Sequence, residues 1–116
     1  MKFEYEKQST TLEAYGKVYE IPTKTIDFVD AVNAAAREIA GSKTAEESVR
    51  ATKAGVALFI GEDEAERIYP EERLNKIDTD EIAAFWWALN RASNEATQAV
   101  IAKYMPNRTI KTNVQR

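Results

Sequence analysis

The sequence predicts a small, mainly helical domain with about three to four helices and a short N-terminal β-hairpin. The first observation is that residues 78–104 contain no glycine or proline and place apolar side chains at helical spacing. The second is that residues 2–22 have strand character around a central Gly16. A chain of 116 residues suits one domain. We therefore expect a single domain over residues 1–106, followed by a flexible basic tail at residues 107–116.

The longest predicted element is a C-terminal helix at about residues 79–104. Asp78 stands at the N-cap position, and Glu81 has the spacing that completes a capping box. Such a helix would be about 39 Å long, so other elements must pack along it. Its apolar face is predicted to consist of Ile82, Phe85, Trp86, Leu89, Ser93, Ala96, Val100 and Tyr104.

The N-terminal hairpin is predicted over about residues 2–22. Phe3 and Tyr5 alternate with acidic residues, which is the period of a strand. Gly16 can adopt a positive φ at no steric cost, so the chain is expected to turn there. An isolated hairpin is marginal in water, and this one must pack on the helices or pair with another chain.

Three further helices are predicted between the hairpin and the long helix. The first covers about residues 25–40 and is followed by Gly41, which reads as the C′ glycine that ends a helix. The second begins at Thr44 and ends at Gly61, and Gly55 inside it either permits a close crossing or is merely tolerated. A short third helix follows at residues 62–69, where an acidic start suits the helix dipole.

The composition argues against catalysis. The chain has no cysteine, so it has no thiol nucleophile. It also has no histidine, which is the commonest general base and the commonest metal ligand. The acidic run at residues 62–66 lacks the oxygen-ligand spacing of a calcium loop and is better explained as a solvated helix start. No nucleotide-binding or hydrolase motif is present. We expect no catalytic, metal-binding or cofactor-binding residues.

Charge and hydropathy exclude two further classes of partner. The net charge of −3 argues against a nucleic-acid binder, although the tail at residues 107–116 is basic. The longest strongly apolar run, residues 56–60, is far shorter than the roughly 20 residues that cross a bilayer. The N-terminus has no apolar signal core. We therefore expect a cytoplasmic protein that binds neither nucleic acid nor membrane.

The two adjacent tryptophans separate the predicted core from a predicted surface. Neighbouring helix residues point about 100° apart, so one helix face cannot bury both Trp86 and Trp87. Trp87 either is covered by a wide core or the hairpin, or belongs to an exposed apolar patch that binds a partner. The candidate partner interface comprises Tyr15, Tyr19, Trp87 and Ile101.

Three segments resemble a known family. They are YGKVYEIPT at residues 15–23, ALFIGEDEAERIYPEE at residues 57–72 and DTDEIAAFWWAL at residues 78–89. In this order, with an Ala-rich helix between the first two, they are similar to the tail assembly chaperones of long-tailed bacteriophages and prophages of Gram-positive hosts. The resemblance covers about residues 12–108, and its motifs are apolar.

The resemblance implies a non-enzymatic helper that binds the phage tape-measure protein, recruits tail-tube subunits, forms a homo-oligomer and is absent from the mature virion. It supplies no catalytic residues, so the candidate interface rests on this sequence alone. Two alternatives remain open at this point. One is a small structural head–tail connector of a virion, and the other is a host regulator that dimerises through its helices.

Overall fold

The computed structural model describes residues 1–7 and 9–105, and it is mainly helical with an N-terminal hairpin, as the sequence predicts. The hairpin strands are β1 (Thr11–Ala14) and β2 (Lys17–Glu20). Five helices follow: α1 (Ile26–Ala40), α2 (Ala45–Ile60), α3 (Glu62–Ile68), a 3₁₀ helix (Glu71–Lys76) and α4 (Thr79–Tyr104). The predicted bounds of the long helix are confirmed. The predicted tail at residues 107–116 lies outside the described residues.

The hairpin is shorter than predicted. Its strands pair antiparallel from Thr11 opposite Glu20 to Ala14 opposite Lys17. Tyr15 and Gly16 form the two-residue turn with φ of 53° and 80°, the sign that a type I′ turn requires at both positions. Residues 1–7 form no strand, so the predicted start near residue 2 is wrong. Their alternating aromatic residues pack on the end of α4 instead.

Side-chain caps fix where the three longer helices begin. The hydroxyl of Thr25 accepts a hydrogen bond from an N–H of the first turn of α1, and Thr44 does the same for α2. The Asp78 carboxylate accepts from two N–H groups at the start of α4. At the helix ends, Gly61 has a positive φ of 93°, whereas Gly41 has a φ of −87°. Both glycines end their helices as predicted, although α1 closes at Gly41 in right-handed geometry.

Helix α2 lies at the centre of the helical layer, packed against both α1 and α4. A chain of aromatic contacts crosses all three helices. The Phe28 ring of α1 meets Phe59 of α2 edge-on at 5.2 Å between centroids, and Phe59 meets Trp86 of α4 at 5.9 Å. The largest of the fully buried side chains are Val56, Ile82 and Leu89. This core joins the middle of α2 to the first half of α4.

Gly55 permits close contact between α2 and α4. A Cβ atom at this position would lie 2.6 Å from Cζ3 of the Trp86 indole, well inside van der Waals contact. The hypothesis that Gly55 allows a close approach is therefore confirmed, and the ring of Trp86 is what approaches.

The contacts also give the helix directions. The start of α2, at Ala45 and Val49, lines the same depression as Thr79 at the start of α4. The end of α2, at Phe59, contacts Trp86, which lies about two turns after the start of α4. Helices α2 and α4 therefore run in the same direction. Helix α1 runs the opposite way, because Phe28 near its start contacts Phe59 near the end of α2.

Candidate partner-binding surface

The two tryptophans lie in opposite environments. Trp86 is 6% exposed and packs on Phe59 and Gly55, whereas Trp87 is 69% exposed. Neither a wide core nor the hairpin covers Trp87. Transfer of a large aromatic side chain out of water is favourable. An exposed indole on an ordered helix can therefore contribute strongly to the binding of a partner.

A groove between α1 and α4 begins one helical turn after Trp87. It encloses about 160 Å³, and its lining residues are Lys24, Phe28, Val29, Val32, Asn33, Phe59, Asn90, Ser93 and Asn94. Asn90 stands three residues after Trp87, so the two side chains are neighbours on one side of α4. Phe59 reaches the groove from α2, which lies beneath. The groove therefore continues the exposed surface of Trp87 with an apolar interior.

The α1 side of the groove also exposes apolar side chains. Ile26 is 80% exposed, and Val29, one turn later on the same side of α1, is exposed as well. Both helices thus present apolar groups beside the groove. We call Trp87, Ile26, Val29 and the groove lining together the α1–α4 surface.

The polar groups along the α1–α4 surface are mostly amides. Asn33 stands on α1, and Asn90 and Asn94 stand on α4. The Asn90 side chain donates a hydrogen bond of 2.9 Å to the Trp86 carbonyl. Lys24 supplies a cation at one end, where its ammonium donates to the Thr97 hydroxyl, and burial lowers its pKa. Amides can neither take nor give protons at neutral pH, so this surface is suited to contact rather than to acid–base chemistry.

Among the other candidate interface residues, the two tyrosines hold the hairpin on the helices. The Tyr15 ring stands edge-on to Phe85 at 5.1 Å, and its hydroxyl donates to the Glu81 carboxylate at 2.7 Å. Tyr19 is 8% exposed, and its hydroxyl donates to Glu64 at 2.7 Å. Tyr19 is therefore not available at the surface of the isolated chain, and Tyr15 is only partly so.

The position of Glu81 corrects a prediction about the start of α4. The capping-box interpretation places the Glu81 carboxylate on the backbone N–H of Asp78. In the structure this carboxylate accepts from Tyr15 instead, while Asp78 alone caps the helix. The reason is a long-range contact, since the hairpin turn brings the Tyr15 hydroxyl to the first turn of α4.

Ile101, the last of the candidate residues, is half-buried on α4. It stands seven residues after Asn94, so both lie on the same side of the helix two turns apart. The structure therefore leaves Trp87 and Ile101 on one side of α4, with the asparagines between them. Tyr15 and Tyr19 belong to a different part of the molecule.

A cluster of charges fixes the hairpin to α3. Glu64 accepts from Tyr19, from Lys17 at 3.1 Å and from Arg67 at 3.0 Å. Hydrogen bonds from Arg67, Tyr19 and Lys17 lower the pKa of Glu64 to about 2. Burial, together with the neighbouring Tyr15 hydroxyl, raises the pKa of Tyr69. These groups hold one charge state through the neutral range, which is the behaviour of a structural contact.

Two further acidic residues in and after α3 form ion pairs with bases. Glu66 pairs with Lys53 at 2.6 Å, and Glu71 pairs with Arg50 at 2.8 Å. Within residues 1–7 and 9–105, no group of three or more acidic side chains is arranged to hold a metal ion. In the same part of the chain, no helix has both the length and the apolar character needed to cross a bilayer.

Two features of the surface escaped the sequence reasoning. One is the exposure of Ile26 and Val29, which helical spacing in α1 could have indicated, since neither lies on the apolar face formed by Phe28, Val32, Ala35 and Ile39. The other is an aromatic cluster of Phe3, Tyr5 and Tyr104, in which Tyr104 is separated from the other two residues by almost the full length of the chain.

Comparisons with protein-family models, with curated proteins and with solved structures found no match to this chain.

Proposed function

We propose that this chain is a non-enzymatic assembly chaperone of a phage tail, which binds the tape-measure protein through the α1–α4 surface. The family resemblance of residues 15–23, 57–72 and 78–89 supplies the biological setting. The observation that supports it most is the exposure of Trp87 beside an apolar groove. A chaperone for a long, aggregation-prone partner needs accessible apolar area on a stable scaffold, and it needs no catalytic groups.

The proposed mode of action is to shield apolar segments of the tape-measure protein until the tail tube encloses it. Trp87 would provide the central contact, because aromatic residues dominate the energetics of such interfaces. Ile26 and Val29 would add apolar area from α1. The amides of Asn33, Asn90 and Asn94 would hydrogen-bond at the rim without imposing a charge on the partner.

The test is co-expression of this chain with the tape-measure protein of the same phage or prophage genome. The wild-type chain should keep the tape-measure protein soluble and should co-purify with it. Trp87→Ala should reduce both, with unchanged helix content by circular dichroism. Val18→Ala is the matched control, because Val18 is 65% exposed but lies on the hairpin, away from the groove lining.

Two results would speak against this function. If wild type, Trp87→Ala and Val18→Ala captured the tape-measure protein equally, the α1–α4 surface would not be its binding site. Abundant copies of this chain in purified virions would instead favour a structural head–tail connector, since a chaperone of this type leaves the finished particle. Mass spectrometry of virions distinguishes these two functions directly.

A further inference from the structure

The second half of α4 extends beyond the helix that covers the first half. Helix α4 has 26 residues and α2 has 16, which correspond to about 39 Å and 24 Å. The two helices start together, so α2 ends where α4 still has several turns to run. Within α4, whose residues are all described, the buried side chains stop at Ser93. Residues 94–104 therefore need another cover.

The cover is the N-terminal arm, which we define as residues 1–7, together with residues 21–24, where Lys24 donates to the Thr97 hydroxyl. The Phe3 and Tyr5 rings lie 6.0 Å and 5.5 Å from the ring of Tyr104. The backbone N–H of Glu6 donates to the Tyr104 hydroxyl at 2.8 Å, and the Glu6 carboxylate pairs with Lys103. Tyr5 and Lys7 of the arm and residues 21–24 line a depression of about 100 Å³ over α4, whose own lining residues are Ser93, Ala96, Thr97 and Val100.

This contact has the properties of a displaceable one. Phe3 remains 73% exposed and Tyr5 54% exposed although both rings are docked. The pair between Glu6 and Lys103 is solvent-exposed on both sides, and such pairs contribute little to stability. The arm has no strand of its own and no helix, so it can leave without breaking regular secondary structure.

We propose that the second half of α4 is a docking site for an extended segment with two aromatic residues and an acid, and that its occupant in assemblies is the N-terminal arm of a second copy. The arm in the structure displays the chemistry that the site accepts. A second copy offers the same arm and the same site, so an exchange keeps every contact described above. The arm of the same chain competes with an effective concentration on the order of millimolar. Docking of the arm on a second copy therefore replaces docking within the chain where copies are concentrated or lie side by side.

The absence of natural cysteine allows a direct test by cross-linking. Lys7→Cys and Ala96→Cys line the same depression and leave the three rings and the ion pair intact. They are made in separate chains of different tagged mass, mixed and treated with a short bismaleimide. We expect linked heterodimers whose yield rises severalfold as the total concentration approaches the millimolar range. The double variant, with both cysteines in one chain, should link within the chain at low concentration. A mixture of Val18→Cys and Ala96→Cys is the matched control for random collision.

The outcomes decide the proposal without knowledge of any other partner. A Lys7 and Ala96 mixture that links no better than the Val18 control at every concentration overturns exchange, provided that the double variant still links within the chain. Failure of the double variant to link at low concentration overturns the docked arm itself. If Ala96→Cys alters the helix content, the pair Lys7→Cys and Val100→Cys repeats the test in the same depression.

Discussion

The two halves of α4 differ in what surrounds them. Residues 79–93 pack on α2, the hairpin and the loops, and contain all of the buried side chains of the helix. Residues 94–104 contact the N-terminal arm, most of whose aromatic surface stays in water, and residues 21–24. The first half therefore carries the buried core of the helix, and the second half is held by contacts that are only partly buried. Trp86 and Trp87 repeat the same contrast across the helix rather than along it.

The largest expected effect is the loss of the buried indole. Trp86→Ala should lower the free energy of unfolding by about 3–5 kcal/mol, because it leaves a cavity between Gly55 and Phe59. Urea denaturation followed by circular dichroism measures this. If Trp86→Ala lowered the free energy of unfolding by less than Trp87→Ala does, Trp86 would not be the core residue of the pair.

A smaller effect is expected at the glycine that faces the same ring. Gly55→Ala should destabilise, because the clash with Trp86, typically about 1–3 kcal/mol for an overpacked core, outweighs the gain of about 0.8–1.0 kcal/mol in helix propensity. The matched control is Ala54→Gly on the exposed side of α2, which should lose about 1 kcal/mol from propensity alone. Stabilisation by Gly55→Ala would mean that the indole is free to move aside.

The hairpin should weaken in acid. The hydrogen-bonded Glu64 has a pKa of about 2 in the folded chain against an ordinary value of 4.5. Folding therefore favours the ionised carboxylate, and its contribution is complete above pH 4.5 and is lost as the pH falls from 4.5 towards 2. The thermal midpoint of the wild type should fall over this interval by more than that of Glu64→Gln. Parallel curves for the two proteins would contradict the role given to Glu64.

The sequence was sufficient for the elements whose signals are local. The bounds of α4 followed from the Asp78 cap and from apolar residues at helical spacing, and the turn followed from Gly16. Local signals failed for residues 1–7, since alternation of aromatic and acidic residues fits a strand and equally fits an arm packed on Tyr104. They failed again at Glu81, where a distant tyrosine competes with the helix cap.

The candidate surface could be predicted only in part. Helical geometry showed that Trp86 and Trp87 must face different ways, but the position of the hairpin decides whether Trp87 is covered. That position depends on Tyr15 and Tyr19, which bind Glu81 and Glu64 across more than forty residues of chain. The groove beside Trp87 depends on how α1, α2 and α4 pack together, which no short segment specifies.

The most direct test of the α1–α4 surface uses Trp87 as its own reporter. In a Trp86→Phe variant, Trp87 is the only tryptophan of this chain, and its emission should be that of an indole in water. Addition of the tape-measure protein, prepared with its own tryptophans replaced by phenylalanine, should shift this emission to the blue as Trp87 leaves water. Binding of the tape-measure protein with unchanged Trp87 emission would contradict the claim that Trp87 is its contact.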